Sequence, residues 1–150
     1  MKKLFFLLLL PFFVSAQDGE HEYGEHWGLD FDTAISDAKK DSKNILVYFT
    51  GSDWCPPCKM LKKDLFDTAE FENVAKDYEL LYVDIPRNKD LLSDTQWKHN
   101  QEVLGKYNKK GSFPLIMILN PKGKVLDKYS GYSMTGDVRY HMDLFKKYSD

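Results

Sequence analysis

Cys55 and Cys58 are the residues of this 150-residue chain best suited to covalent chemistry. They lie in the segment 54–59, WCPPCK, which follows an apolar run at 45–49 and is predicted to open a helix. Negative charge is favoured at a helix N-terminus, so this placement predicts a Cys55 pKa lowered from about 8.5 to about 3.5–7.5. Because thiolates attack disulfides, the pair predicts thiol–disulfide exchange, with Cys55 as nucleophile and Cys58 as resolving thiol.

Two other uses of the pair stay open. One is a Cu(I) metallochaperone that binds copper through both thiolates, assisted by Met60 or a distant histidine. The other is a non-catalytic binding module in which the disulfide is inert. A structural zinc site needs four ligands, and the chain has two cysteines and no second such pair, so we predict no metal site.

The elements around the pair are a buried strand, a turn and a helix. The run at 45–49 is apolar throughout and rich in strand formers, which is typical of a strand buried on both faces. Residues 51–54 form the turn, and Pro56 and Pro57 suit the first turn of the helix because their missing N–H groups have no helical partner there. Neither proline offers a donor to the sulfurs, and Lys59 adds positive potential one turn on.

The rest of the chain alternates helices with strands. We predict helices at 30–40, 67–75, 93–107 and 135–148, and strands at 80–85, 115–119 and 125–129, the last two joined as a hairpin. This order is typical of an α/β fold. Its central mixed β-sheet has a parallel core and a C-terminal antiparallel hairpin, flanked by helices.

The first sixteen residues have the features of a secretory signal peptide. Two lysines precede an apolar run at 4–14, and small residues end the segment near Ala16, where we place cleavage. A membrane span needs about 20 apolar residues, so we expect no stable membrane insertion of the mature chain. We predict a periplasmic or secreted protein with a flexible N-terminal arm at 17–28 and one domain at 29–150.

Composition narrows the class of protein further. The chain is 43% hydrophobic and 29% charged, which excludes a disordered chain and a multi-span membrane protein. Its formal charge of −2 gives no electrostatic case for nucleic-acid binding. Two cysteines cannot staple a disulfide-rich miniprotein.

Three segments, 49–59, 64–67 and 112–116, resemble the thioredoxin superfamily. The resemblance extends over residues 45–145. It is nearest to secreted single-domain thioredoxin-like proteins of bacteria and to the C-terminal thioredoxin-like domain of DsbD. It implies a thioredoxin fold, protein disulfides or dithiols as substrates, and a redox partner such as a membrane thiol reductase. It implies no cofactor beyond the redox-active disulfide. The motif lacks the histidine of oxidising relatives, which favours reduction or isomerisation.

The resemblance also assigns residues to the substrate-binding surface. Pro114 matches a proline that begins the third strand of the family with a cis peptide bond and faces the cysteines. Phe113, before it, would present its backbone to the incoming peptide. Trp54, Pro56 and Pro57 would form the substrate-facing surface around Cys55.

The chain departs from the family at the buried proton relay. Thioredoxins place an aspartate on the central strand, where this chain has Tyr48 and Phe49, and a lysine on the next strand, where residues 80–82 read LLY. Cys58 must therefore lose its proton through water or through Asp53. On this basis we interpret Asp53 and Lys59 as residues that tune the redox chemistry.

A second departure is the long connection after the second strand. Residues 86–100 form an insertion relative to a minimal thioredoxin. Either it forms a rim that binds a specific partner, or it is a surface insertion that the fold tolerates, and the sequence leaves both interpretations open.

Overall fold

Four strands form one mixed sheet: β1 (Asn44–Thr50), β2 (Tyr78–Asp84), β3 (Leu115–Leu119) and β4 (Val125–Ser130). Their order across the sheet is β2-β1-β3-β4 in the computed structural model, which describes residues 26–149. The mixed sheet and its C-terminal hairpin are confirmed. The parallel part is one pair, β1 with β2, because β3 runs antiparallel to β1 as well as to β4.

Five α-helices flank the sheet: α1 (Phe31–Asp41), α2 (Pro56–Leu61), α3 (Ala69–Ala75), α4 (Asp94–Tyr107) and α5 (Arg139–Tyr148). Side-chain caps begin three of them. Asp30 accepts a hydrogen bond from Thr33 N, Thr68 from Phe71 N, and Ser93 from Gln96 N. The helix α2 continues as a π-helical turn over Lys62–Phe66, and a 3₁₀ turn at Lys89–Leu91 precedes α4.

Strand β1 divides the core into two layers because its side chains alternate between the faces of the sheet. Leu46 and Tyr48 pack with residues of α2, α3 and α5. Ile45, Val47 and Phe49 pack with residues of α1 and α4 on the opposite face. The predicted burial of β1 on both faces is therefore confirmed, and the carboxyl end of this fixed strand leads directly to Cys55.

The closing helix begins four residues later than the sequence predicts. Residues 131–138 form a loop, in which Gly131, Met134 and Gly136 have φ angles of 89°, 59° and 79°. These left-handed angles cannot continue a right-handed helix. The helix α5 therefore starts at Arg139, and the loop leads away from the end of β4.

The fold includes residues that we expected in the N-terminal arm. Gly28 N–H donates to Leu80 O and Gly28 O accepts from Tyr82 N–H, both at 2.9 Å. Trp27 stacks on Phe71, with ring centroids 6.0 Å apart. The predicted signal peptide and residues 17–25 of the predicted arm lie outside the described residues. Within residues 26–149, every helix is too short or too polar to cross a bilayer.

Candidate active site

Cys55 and Cys58 form a disulfide at the start of α2. Their Cα atoms are 5.3 Å apart, and Cys55 is the N-cap residue of the helix. Cys55 is 3% exposed and Cys58 1% exposed. The predicted helix-start position of the pair is confirmed, and both cysteines are buried in the disulfide form.

The first turn of α2 offers few donors to a thiolate. Exposed Pro56 and half-buried Pro57 have no N–H, and the next two N–H groups, of Cys58 and Lys59, both donate to Cys55 O at 3.1 and 3.2 Å. The Lys59 ammonium is exposed and lies 3.3 Å from Asp53 O. A Cys55 thiolate would therefore depend on the helix dipole and on Lys59 more than on direct N–H donors.

The turn before Cys55 is built around Gly51 and Trp54. Gly51 O accepts from Trp54 N–H at 3.2 Å and from Cys55 N–H at 2.9 Å. The indole N–H of Trp54 donates to Ile85 O at 2.8 Å. A Cβ on Gly51 would collide with the Trp54 ring, so this close approach requires glycine. The indole of the residue that precedes Cys55 is thereby held against the segment after β2.

The segment before β3 meets this turn. The Phe113–Pro114 peptide bond is cis, as the family resemblance implies. The Phe113 ring packs edge to face on Trp54, with centroids 5.3 Å apart. Gly131 N–H donates to Pro114 O at 2.8 Å, which joins the loop after β4 to the same segment. The structure thus brings together the residues preceding Cys55 and Pro114.

Tyr48 is one of the two residues, with Phe49, at which the family resemblance implies a buried aspartate in thioredoxins. Its hydroxyl donates to Cys58 O at 3.1 Å. Burial raises the pKa of Tyr48 far above its usual value. A hydrogen bond with Thr50 lowers this pKa in part, and the negative charge of Asp84 raises it further. Tyr48 is therefore neutral at ordinary pH and supports the helix backbone rather than accepting a proton.

Asp53 holds the loop after β2. The hydrogen bonds of its carboxylate go to this loop, and none goes to a cysteine within residues 26–149. Its carboxylate accepts from Arg87 N–H at 3.0 Å and from Asn88 N–H at 2.9 Å. Partial burial raises the pKa of Asp53, but these N–H donors and the positive charge of Arg87 outweigh burial and lower it. A lowered pKa makes Asp53 a weak proton acceptor, so we assign it to holding the loop.

A buried carboxylate that the sequence analysis did not identify ends β2. Asp84 accepts from the backbone N–H and the hydroxyl of Ser52, in the turn that precedes Cys55. Its backbone carbonyl accepts from the buried Asn100 amide at 2.8 Å, which ties α4 to the same strand end. The available signal was a charged residue directly after the apolar run at 80–83.

A family model described as thioredoxin-like matches residues 26–121. That match covers more than half of the chain and includes both cysteines. The chain belongs to the thioredoxin-like family. The matched residues contain β1, β2 and β3 together with cis-Pro114.

Individual relatives of this thioredoxin-like chain include bacterial disulfide enzymes. The chain is 32% identical over 108 residues to a disulfide bond reductase, DsbH, of Chlamydia pneumoniae, covering 71% of this chain and 63% of the relative. It therefore spans less than two thirds of that protein.

Solved structures give the same fold. A DsbH oxidoreductase superposes with a TM-score of 0.70 at 28% identity, covering 80% of this chain and 81% of the other. The oxidised C-terminal domain of DsbD from Neisseria meningitidis superposes with a TM-score of 0.56 at 15% identity, covering 78% and 90%. The second likeness concerns the fold alone.

Metal ligands are sparse around the thioredoxin-like cysteine pair. Across residues 26–149, no three or more His, Cys, Asp or Glu side chains are grouped so that they could hold a metal ion. A copper ion at this site would have to use the two thiols of the reduced pair with ligands from elsewhere.

Proposed function

We propose that the chain is a thiol–disulfide oxidoreductase that exchanges disulfides with protein substrates. The observation that carries the proposal is the Cys55–Cys58 disulfide at the start of α2, beside the segment that holds cis-Pro114. Similarity to a disulfide bond reductase over 71% of this chain supports the same activity. No cofactor beyond this redox-active disulfide is proposed.

In the reductive direction, the reduced pair donates two electrons to a substrate disulfide. The Cys55 thiolate attacks one substrate sulfur, a mixed disulfide forms, and the other substrate sulfur leaves as a thiolate that takes up a proton. The Cys58 thiolate then attacks the Cys55 sulfur, which releases the second substrate thiol and forms the Cys55–Cys58 disulfide. A separate dithiol reductant must restore the reduced pair.

Reduction or isomerisation is the direction that we propose. A strong oxidant of this chemistry is one whose reduced form is stabilised. Here Pro56 and Pro57 remove two N–H donors from the first turn of α2, so the Cys55 thiolate receives less stabilisation. The name of the DsbH relative, a disulfide bond reductase, supports this direction.

We further propose that the protein acts outside the cytoplasm, in the periplasm or after secretion. The pattern of residues 1–16 supports export, and disulfides persist in such compartments. The electron donor would be a membrane thiol reductase, a proposal supported by similarity to DsbD over 60 residues at 30% identity.

Insulin reduction with dithiothreitol tests the activity. Wild-type protein should accelerate reduction, and Cys55→Ser should abolish the acceleration because the nucleophile is lost. Cys58→Ser should retain the attack and accumulate a mixed disulfide that a non-reducing gel detects. Wild-type protein that gives no acceleration, yet binds one equivalent of Cu(I) tightly when reduced, would replace the proposal with a metallochaperone.

Equilibration with glutathione tests the direction. A reduction potential near about −270 mV, the thioredoxin value, would support a reductant, and one near about −120 mV, the DsbA value, would contradict it. Pro57→His should make the potential less negative, because it restores an N–H and adds a side chain that can carry positive charge beside the thiolate.

A further inference from the structure

A cation and two aromatic rings form a continuous surface beside the cysteines, which we call the Arg87 ledge. The Arg87 guanidinium lies over the Trp54 ring, 4.9 Å from its centroid. The Phe113 ring also packs on this indole, edge to face, with centroids 5.3 Å apart. Arg87 is thus joined through Trp54 to the residue preceding cis-Pro114.

The backbone of the ledge is fixed before any partner binds. Asp53 accepts hydrogen bonds from the N–H groups of Arg87 and Asn88, and Trp54 donates to Ile85 O. Pro86, between these anchors, is buried. Stacking on Trp54 then limits the side-chain rotamers of Arg87. A ligand would therefore meet a guanidinium that has already lost part of its conformational freedom.

The guanidinium has hydrogen-bonding capacity left over. Stacking uses its flat face and leaves the N–H groups along its edges, which match a carboxylate in a paired geometry. Arg87 is exposed, and within residues 26–149 no carboxylate lies within the 4.0 Å of an ion pair with it. The nearby Asp53 charge faces the backbone N–H groups of Arg87 and Asn88 instead.

The surroundings of the ledge favour an anionic partner. Exposed Lys109 and Lys110 lie in the short loop that leads to Phe113, and exposed Lys59 reaches Asp53 O, the residue beneath Arg87. Ion pairs that neutralise these three lysines are absent from residues 26–149. These lysines add positive charge on the segments next to the ledge, and the carboxylate of Asp53 is the acidic group that faces its backbone.

We propose that Arg87 selects substrates by binding an acidic side chain close to the cysteine that Cys55 attacks. This inference rests on the proposed function and adds the chemistry of the substrate segment. Arg87 lies against the ring of Trp54, the residue that precedes Cys55 in the chain. Because an extended peptide advances about 3.3 Å per residue, the acidic residue should lie within about four residues of the substrate cysteine.

Matched disulfide-bonded peptides test the proposal. Each carries Asp, Asn or Lys at one position up to four residues before or after its cysteine and is otherwise neutral, and kcat/KM is measured with dithiothreitol as reductant. Wild-type protein should prefer Asp over Asn about three- to five-fold at one position, at low ionic strength, with the preference falling as salt rises. Arg87→Ala should remove this preference, and Arg87→Glu should transfer it to the Lys peptide.

Lys89→Glu is the matched control. Lys89 lies two residues after Arg87 and stacks on Trp97, with its ammonium 4.3 Å from that ring centroid. Lys89→Glu changes the net charge by the same amount as Arg87→Glu. It should keep the ratio of Asp to Asn rates. Equal wild-type rates for Asp and Asn peptides at every position would overturn the proposal, as would an equal loss of preference in Lys89→Glu.

An uncharged substrate separates this proposal from the proposed function. Wild-type turnover of 2-hydroxyethyl disulfide reports thiol–disulfide exchange without any charge recognition. If that turnover is absent, the proposed function fails. If it is present while the peptides are not discriminated, the oxidoreductase stands and the acidic-substrate inference is wrong.

Discussion

At the scale of single residues, a substitution of Tyr48 distinguishes structural support of α2 from a role in proton transfer. Tyr48→Phe removes the donor to Cys58 O and should cost about 1–2 kcal/mol of unfolding free energy, measured in urea. Because burial raises the Tyr48 pKa, the rate of iodoacetamide alkylation of reduced Cys55 should keep its wild-type pH profile from about pH 6 to about pH 9.

Tyr78→Phe is the control for this substitution. The Tyr78 hydroxyl is also buried and donates to a backbone carbonyl, that of Phe145, at 2.6 Å, far along the chain from the cysteines. Both variants should lose similar stability and keep the alkylation profile. A shifted inflection in Tyr48→Phe alone would instead make Tyr48 part of the proton path.

Gly51 is a second residue whose role follows from one contact. Gly51→Ala places a methyl group against the Trp54 indole, so Trp54 must move and lose its hydrogen bond to Ile85 O. We expect a changed tryptophan fluorescence spectrum and lower kcat/KM for insulin.

Gly105→Ala is the control. Outside the neighbouring backbone of α4, no atom lies within 4 Å of the added methyl group, and alanine inside α4 should stabilise the protein by up to about 1 kcal/mol without loss of activity.

At the scale of elements, the two ends of β3 can be tested against each other. Asn108 holds the loop before β3, because its side chain donates to Ser112 O at 2.8 Å and accepts from Ser112 N–H at 3.0 Å. Asn108→Ala should cost about 1–3 kcal/mol and lower kcat/KM, since this loop leads to Phe113 and Pro114.

Asn120 provides the comparison at the opposite end of β3. Its side-chain oxygen accepts from Lys122 N–H at 2.9 Å and from Lys124 N–H at 3.0 Å in the turn before β4. Asn120→Ala should lower the unfolding midpoint in urea but keep wild-type kcat/KM. Equal losses of activity in both variants would mean that the loop before Pro114 has no special role.

The elements were predictable because their signals are local. The apolar run of β1 and the caps at Asp30, Thr68 and Ser93 place those elements to within one or two residues. The start of α5 was not predictable, because Met134 adopts a left-handed φ that its residue type disfavours. The antiparallel pairing of β3 with β1 depends on how the long connection through α4 returns, which no local pattern encodes.

Some features of the candidate active site were likewise predictable from local sequence, and others were not. The spacing of Cys55 and Cys58 predicts their position at a helix start, and the family resemblance implies the cis bond at Pro114. The position of Arg87 over Trp54 depends on the loop after β2 folding back onto the turn before Cys55. Its partners are more than thirty residues apart in the chain, so only the folded structure reveals the contact.

At the scale of the whole molecule, α5 connects the edge of the sheet to the candidate active site. His141 of α5 is buried, and its ring packs against Tyr129 of β4 and Tyr132 of the following loop, at centroid distances of 4.7 and 5.8 Å. Its Nδ1 has no hydrogen-bond partner among residues 26–149. The loop also donates from Gly131 N–H to Pro114 O, so protonation of His141 would disturb packing behind the cis proline.

Protonation of His141 should therefore lower the stability of the protein in mild acid. Burial lowers the pKa of His141 below its ordinary 6.5, although a hydrogen bond to the Gly131 backbone and the charge of Asp137 oppose burial. The unfolded chain then binds the proton more tightly, so the contribution to stability is complete above about pH 6.5 and is lost as pH falls towards the lowered pKa. The melting temperature of wild-type protein should drop more between about pH 7.5 and about pH 5 than that of His141→Phe. Equal drops, or an NMR titration of wild-type His141 at or above its ordinary pKa, would contradict this origin of acid sensitivity.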